Sequence, residues 1–187
     1  MEKNILIITA HPGKDSFTNK IAKYYENGAK ENNSKVTIID LYQTKKKFDF
    51  LDFENMKNEQ PKKYYQGLIS KADELVFVFP LWNMSEPAIL KNFFDQVFTS
   101  GFAFKYTGKP TPIKLLKGRS SKIFVTCDGS QYLYKLLLDP LMLTWKFGRM
   151  NFCGIKLDKF IYLDKMRKKN DEDKEKILEK VKNLAKK

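Results

Sequence analysis

Five short runs of apolar residues are spaced along the chain, and each has the length of a β-strand. The first run reads NILIITA and the third LVFVFPL, without the alternation of polar and apolar residues that marks a half-exposed strand. Continuous runs of this kind are typical of strands buried on both faces of a sheet. The pattern therefore predicts five buried strands, at residues 4–10, 35–41, 75–81, 122–127 and, more weakly, 159–163.

The segments that follow these runs have apolar residues three or four positions apart, which is the spacing of an amphipathic helix. Pro87 suits the first turn of the third segment, whereas Pro140 must end or kink the fourth. The fourth segment is apolar enough to predict a buried helix, and the acidic start and lysine-rich end of the last segment suit the helix dipole. The predicted helices cover residues 16–32, 60–72, 87–98, 132–145 and 171–187.

Strand and helix alternate five times, which indicates a parallel sheet with helices on both faces. We therefore predict the α/β class, as a doubly wound three-layer sandwich with a five-stranded parallel sheet in the order 2-1-3-4-5. The chain has no internal repeat and no Ser/Gly-rich linker, so a single domain over residues 1–187 is expected.

In such a sheet, ligands bind beyond the carboxyl ends of the strands, next to the point where the strand order reverses. The first loop at this edge contains HPGKDSFT, where hydroxyl groups and the amides of a helix start favour an anion such as phosphate. Asp15 and Ser16 equally suit a helix cap, and His11 suits either a structural or a ligand-contacting role. The rule selects three loops, at residues 10–17, 80–87 and 126–132.

The other two loops suit a flat aromatic ligand. PLWNMSEP places Trp82 at a strand end beside Leu81 and Met84, where a heterocycle finds an apolar surface and backbone amides for its polar rim. Leu81 and Trp82 are equally consistent with core positions. TCDGSQYLY contains Gly129, which permits close backbone approach, and Tyr132, which is either a phenol near the site or a packed helix residue.

The sequence excludes several other kinds of site. No two glycines have G-x-G spacing and no GxxxxGK follows a strand, so a dinucleotide fingerprint and a P-loop are both missing. His11 is the only histidine, and Cys127 and Cys153 lie far apart, so no metal site is expected. The longest apolar run, residues 75–82, is too short to cross a membrane. A mononucleotide held by a loop that is not glycine-rich stays open.

The chain has 35 Lys and Arg against 22 Asp and Glu, which gives a formal net charge of +13 at pH 7. A charge of this size first suggests a nucleic acid partner. However, the only arginines are Arg119, Arg149 and Arg167, and the lysines are spread along the chain rather than gathered in one stripe. We therefore expect neither a nucleic acid partner nor membrane insertion, and a cytoplasmic location.

Taken in order, the three loops resemble the NAD(P)H:quinone oxidoreductase family of flavodoxin-like flavoproteins, which includes the DT-diaphorases and the bacterial modulator of drug activity B. The resemblance covers nearly the whole chain, and its most specific part is the PAILK block. It begins with HP and SF near residue 11 and DLY at residues 40–42. It continues with FPLW and PAILK within residues 79–98, GFAF at residues 101–104 and TCDG at residues 126–129.

The resemblance implies that the flavin phosphates and ribityl chain are held by His11, Ser16, Phe17 and Thr18. It implies that the ring is carried by Pro80, Leu81, Trp82, Asn83 and Met84, and that its other edge is lined by Thr126, Cys127, Asp128 and Gly129. Tyr132 matches the family tyrosine beside the ring and is the implied catalytic residue. Phe104 and Tyr106 match aromatics that line the substrate cavity from the partner subunit of a homodimer.

The chain departs from the family pattern at two points. The family's Thr-Thr-Gly-Gly becomes Thr-Cys-Asp-Gly here, which places the carboxylate of Asp128 near the flavin. The histidine that commonly follows the family tyrosine has no counterpart, because His11 is alone. The second departure removes one candidate proton donor.

By the same resemblance, the chain is a flavin-dependent NAD(P)H:acceptor oxidoreductase with FMN or FAD as cofactor and NAD(P)H as co-substrate. Two-electron ping-pong transfer takes hydride from NAD(P)H through flavin N5 to a quinone, nitro or azo acceptor in the same pocket. The short C-terminal part favours FMN. The alternative is a flavodoxin-like electron carrier or redox-regulatory partner without NAD(P)H activity, although such carriers are typically acidic and this chain is basic.

Overall fold

In the computed structural model, which describes residues 2–50 and 59–186, parallel strands form the central sheet. These strands are β1 (Asn4–Thr9), β2 (Lys35–Asp40), β3 (Glu74–Pro80), β6 (Ser120–Thr126) and β7 (Lys156–Leu163), in the order β2-β1-β3-β6-β7. A separate antiparallel hairpin consists of β4 (Phe104–Lys105) and β5 (Ile113–Lys114). When the parallel strands alone are counted, the order is 2-1-3-4-5, so the predicted α/β sandwich is confirmed.

Helices cover both faces of this sheet, because successive strand residues point to opposite sides. The α-helices of the described residues are α1 (Phe17–Glu31), α2 (Glu59–Lys71), α3 (Ala88–Val97), α4 (Gln131–Leu136), α5 (Pro140–Leu143) and α6 (Asp171–Ala185). Ile5 and Ile7 of β1 belong to the buried cluster with residues of α1 and α6, and Leu6 and Ile8 belong to the cluster with residues of α2 and α3. None of the described helices is both long enough and apolar enough to span a bilayer.

The segment predicted as one buried helix at residues 132–145 differs from that prediction. It divides into α4, α5 and a π-helix (Thr144–Asn151), because Pro140 begins α5 while Asp139 caps it by accepting from the Met142 amide at 3.1 Å. The first half is also exposed, with 79% of Leu136 and 80% of Leu138 open to solvent. The prediction of burial was therefore wrong for most of α4, in which only Tyr134 is buried by the described part of the chain.

A buried ion pair between β3 and β6 is hydrogen-bonded to Tyr25 of α1 near the amino ends of these strands. The Lys122 ammonium donates to Glu74 Oε2 at 3.0 Å and to the Tyr25 hydroxyl at 2.7 Å, and the Tyr25 hydroxyl donates to Glu74 Oε1. Lys122 also donates to the Leu184 carbonyl oxygen of α6 at 3.4 Å. Because β3 begins at Glu74, this cluster lies at the edge of the sheet opposite the carboxyl ends of the strands.

Candidate active site

A cavity of about 700 Å³ lies at the carboxyl ends of β1, β3, β6 and β7. It is built from the three predicted loops together with a fourth, which follows β7. Eleven of the thirteen residues predicted to bind the cofactor line it: His11, Phe17, Thr18, Pro80, Leu81, Trp82, Asn83, Thr126, Cys127, Asp128 and Gly129. Three further lining residues were not predicted, namely Tyr134, Met166 and Arg167.

The first loop brings the start of α1 to the cavity. Ser16 does not line the cavity but caps the helix, since its Oγ accepts from the Asn19 amide at 3.2 Å. The Thr18 hydroxyl lies 3.1 Å from the Thr126 hydroxyl, so the first and third loops touch at this point. The first amides of a helix have no intrahelical acceptor, and they favour an anion.

His11 has its ring fixed by its own loop. Its Nδ1 accepts a hydrogen bond from the Gly13 amide at 3.0 Å, so the neutral imidazole carries its proton on Nε2. The ring lies 6.5 Å from the Trp82 ring, centroid to centroid. His11 therefore has one N–H donor left over at the wall of the cavity.

The second loop makes a tight turn at residues 82–85, the Trp82–Ser85 turn. Trp82 and Ser85 exchange two backbone hydrogen bonds of 2.9 Å each, and the two residues between them are left-handed, with φ of 48° at Asn83 and 63° at Met84. This is the type I′ arrangement, which favours glycine or asparagine. Trp82 is 42% exposed rather than a core residue, and Met84 lies on the turn but does not line the cavity.

The third loop leads into α4, and its two tyrosines differ in position. Tyr132 is 72% exposed and does not line the cavity, whereas Tyr134 is only 7% exposed and does. Ser130 caps α4, so the two tyrosines lie in its first turns about 200° apart around the helix axis. A Cβ on Gly129 would overlap the Tyr134 hydroxyl, so glycine is what lets this phenol approach the loop.

Cys127 and Tyr134 are neighbours in the cavity wall, and both keep their protons at neutral pH. Burial raises the pKa of the Cys127 thiol to about 11, and the carboxylates of Asp164 and Asp128 add to that effect. Burial and the adjacent Cys127 likewise raise the pKa of Tyr134 to about 12. The cavity therefore contains a neutral thiol and a neutral phenol, and the phenol is a potential hydrogen-bond donor.

The fourth loop was missed by the sequence reasoning, although it follows the same rule as the others. Asp128 holds it in place, because its carboxylate accepts from the Arg167 amide at 3.0 Å and pairs with Arg167 Nε at 2.9 Å. The Met166 amide donates to the Cys127 carbonyl oxygen at 3.2 Å. The signal that could have found it is the Arg-Lys-Lys cluster just after the fifth strand, at the same edge of the sheet.

The two residues predicted to contact substrate lie outside this cavity. Phe104 is in β4, where its ring packs 4.8 Å from that of Phe152, and Tyr106 is 63% exposed. Their rings touch each other edge to face at 5.3 Å. Neither residue lines the cavity of its own chain.

The arrangement suits a ligand with an anionic end and a flat aromatic end. The start of α1 and His11 supply donors for an anion, and Trp82 supplies an aromatic surface on the same wall. Tyr134 and the loop backbone add neutral hydrogen-bonding groups to the lining. Within residues 2–50 and 59–186, no three histidine, cysteine or acidic side chains gather as a metal site.

This topology and this site position define the flavodoxin-like class of doubly wound proteins. The family model of that class, described as a flavodoxin-like fold, matches residues 3–187. A Haemophilus influenzae protein, named as an uncharacterized NAD(P)H oxidoreductase, is 34% identical over 165 residues, which are 81% of this chain and 79% of that protein. The chain therefore belongs to the flavodoxin-like family that includes these NAD(P)H oxidoreductases.

A second relative covers more of the chain. The FMN-dependent NADH:quinone oxidoreductase of Clostridium beijerinckii is 33% identical over 187 residues, which are 95% of this chain and 92% of that protein. Among solved structures, a Streptococcus mutans protein superposes with a TM-score of 0.82 at 27% identity over 98% of both chains. The NAD(P)H:quinone oxidoreductase of Methanothermobacter marburgensis has the same fold, with a TM-score of 0.82, 21% identity and coverage of 100% and 96%.

Proposed function

We propose that this protein is an FMN-dependent NAD(P)H:quinone-type oxidoreductase. The observation that carries the proposal is the cavity itself, which brings a helix start and an aromatic wall together at the carboxyl edge of the sheet. A relative that is named as an FMN-dependent NADH:quinone oxidoreductase supports it. The relative from Clostridium beijerinckii is named as FMN-dependent and NADH-linked, which favours FMN over FAD and NADH over NADPH as the first ligands to test.

The residues at the cavity fit FMN in size and in chemistry. A volume of about 700 Å³ is within the usual range of pockets for ligands of this size. The α1 amides, the His11 Nε2–H and the Thr18 hydroxyl are donors for a phosphate and a polyol chain. Trp82 and the Trp82–Ser85 turn supply an apolar surface and backbone groups for a flat ring with a polar rim.

When bound, FMN supplies the hydride acceptor and donor that this chain lacks among its own side chains. The overall reaction balances as NAD(P)H plus a proton plus quinone giving NAD(P)⁺ plus hydroquinone. The chain's part is to orient the ring and to donate hydrogen bonds toward its polar rim. We assign the role of the tyrosine that donates a hydrogen bond toward the ring to Tyr134 rather than to Tyr132. Tyr134 lines the cavity and keeps its proton at neutral pH.

The proposal includes a homodimer, which the resemblance implies and the exposed apolar residues support. Large exposed apolar areas usually mark interaction sites. We call the area from Tyr132 to Phe147 the 132–147 surface; its members are Tyr132, Leu133, Leu136, Leu137, Leu138, Leu143 and Phe147. A second copy seated on it would cover these side chains. In such a dimer, Phe104 and Tyr106 reach the partner's cavity, which explains why they are outside their own.

The test is to purify the protein, to add FMN, and to follow flavin fluorescence and then NADH oxidation with menadione as acceptor. We expect FMN to bind with quenching of its fluorescence, and NADH oxidation to depend on both FMN and menadione. FMN binding without turnover would favour the electron-carrier alternative. A protein that binds neither FMN nor FAD would overturn the proposal.

A further inference from the structure

Glu86 follows the Trp82–Ser85 turn directly and is almost fully buried, with 6% exposure. Its Oε1 accepts a hydrogen bond from Arg149 Nη2, and its Oε2 accepts from the Ser85 hydroxyl at 3.2 Å. Burial alone would raise the pKa of Glu86, but the hydrogen bond and the charge of Arg149 hold it below its usual value. Glu86 is therefore a buried carboxylate whose cationic partner is Arg149.

Arg149 comes from the π-helix, 63 positions away in the sequence, and is also 6% exposed. Its guanidinium carbon lies 4.5 Å from the centroid of the Trp145 ring and 5.2 Å from that of Phe94. Its Nη1 is buried and has no hydrogen-bond partner among the described residues. The Arg149 guanidinium thus packs against the Trp145 and Phe94 rings while its Nη2 donates to Glu86.

The position of this pair is informative because a buried ion pair is a weak source of stability. Desolvation of the two charges offsets most of their attraction, and apolar residues of similar size commonly serve as well. The Trp82–Ser85 turn, in contrast, has two consecutive non-glycine residues in left-handed conformation, Asn83 and Met84. Such conformations persist only where the surrounding structure fixes them. The Glu86–Arg149 ion pair begins at the residue directly after the turn, so it can fix the conformation of the turn.

We propose that Glu86 and Arg149 are positioning residues that hold the Trp82–Ser85 turn in its left-handed form. The pair fixes Glu86, the residue directly after the turn, to the π-helix, so that Trp82 and the backbone of the turn stay in place at the cavity wall. The expected effect on ligand binding rests on the proposed function, because FMN is the ligand proposed to contact this wall. The ordering of the turn is a property of the chain alone and is measurable without flavin.

The experiment compares Glu86→Gln with Glu74→Gln, which breaks the other buried ion pair at the opposite edge of the sheet. Both variants leave a buried cation without its partner, so both are expected to lower the melting temperature. In the flavin-free protein, hydrogen exchange is measured at the Trp82 and Ser85 amides, the two donors of the turn. We expect Glu86→Gln to speed their exchange and to weaken FMN binding, each by about tenfold. For Glu74→Gln we expect both to stay within about twofold.

A double variant, Glu86→Gln with Arg149→Met, separates positioning from stability. It removes the uncompensated charge, so the melting temperature is expected to recover. The turn amides should still exchange fast and FMN should still bind weakly. If exchange and FMN binding recover together with stability, or if Glu86→Gln leaves both unchanged, the proposal is wrong. If the wild type binds no flavin, the proposed function fails, while the exchange rates still decide whether the pair orders the turn.

Discussion

At the scale of single residues, Tyr132 and Tyr134 are two positions apart and have opposite surroundings. Tyr134 packs beside Gly129 with its ring 5.2 Å from that of Tyr162, and it lines the cavity together with Cys127. We predict that Tyr134→Phe lowers kcat for NADH:menadione turnover by about tenfold or more, because a hydrogen-bond donor fixed at the site is lost. Steady-state kinetics of the FMN-loaded protein measure this.

Tyr132→Phe is the matched control for that variant. The Tyr132 ring does not line the cavity, so kcat should stay within about twofold of the wild type. A larger loss in Tyr132→Phe than in Tyr134→Phe would return the catalytic role to Tyr132 and contradict the assignment made above.

The same pair shows where sequence reasoning stops at this scale. The letters QYLY contain two phenols, and either one follows the loop closely enough to match the family tyrosine. Which one faces the cavity depends on where α4 begins, and this is set by the Ser130 cap. The Ser130 hydroxyl accepts from the Tyr132 amide, which fixes the helix start and turns Tyr132 outward.

At the scale of elements, α1 and α6 cross in close contact at Gly28. A Cβ on this residue would overlap the Lys182 carbonyl oxygen, which is backbone and has little freedom to move. We predict that Gly28→Ala lowers the free energy of unfolding by roughly 1–3 kcal/mol, because it forces the two helices apart. Urea unfolding followed by circular dichroism measures the change.

Gly67→Ala in α2 is the control for the same substitution. Nothing lies within 4 Å of a Cβ there, and the residue is exposed in a helix interior. Alanine should therefore raise the free energy of unfolding by up to about 1 kcal/mol. Equal changes in the two variants would mean that helix propensity alone, and not the crossing, determines the effect at Gly28.

Element boundaries were predicted well wherever local patterning decides them. The strands at residues 4–10 and 35–41 and the helix at residues 16–32 begin and end close to the observed β1, β2 and α1. The helix predicted at residues 171–187 corresponds to α6, which ends at Ala185 with Lys186 as its C-cap, and Lys187 lies outside the described residues. The exception is the 132–145 segment. Its hydrophobicity indicates that it is buried, but not whether this chain or another molecule covers it.

At the scale of the whole molecule, the proposed homodimer depends on contact between two copies through the 132–147 surface. We predict that Leu136→Glu turns a dimer into a monomer at micromolar concentration, because an unpaired charge would be buried against a second copy. Analytical ultracentrifugation measures the mass. FMN binding should survive, but turnover should fall, since Phe104 and Tyr106 would no longer reach the partner's cavity.

Tyr64→Glu provides a control of the same charge at another exposed aromatic position, in α2. It should leave the mass of the protein unchanged. A wild type that is monomeric at high concentration would overturn the dimer while leaving the FMN proposal in place.

The sequence by itself determined the sheet and its order, and it predicted the edge of the sheet at which ligands bind. Apolar runs that alternate with helical patterns are local features of the sequence, and a parallel sheet brings the loops that follow its strands to one edge. Eleven of the residues predicted to bind the cofactor, from His11 to Gly129, therefore line one cavity at that edge. Their contact with a cofactor stays a prediction.

Only the tertiary structure decided what distant residues do to one another. It paired Glu86 with Arg149 across 63 positions and placed Arg167 against Asp128. It also brought Tyr134 rather than Tyr132 to the cavity and left most of α4 exposed. Each of these depends on which side chains meet when the elements pack. A charge, a phenol or a leucine has the same letter whether it is buried, paired or exposed, so its role is fixed only by its neighbours in space.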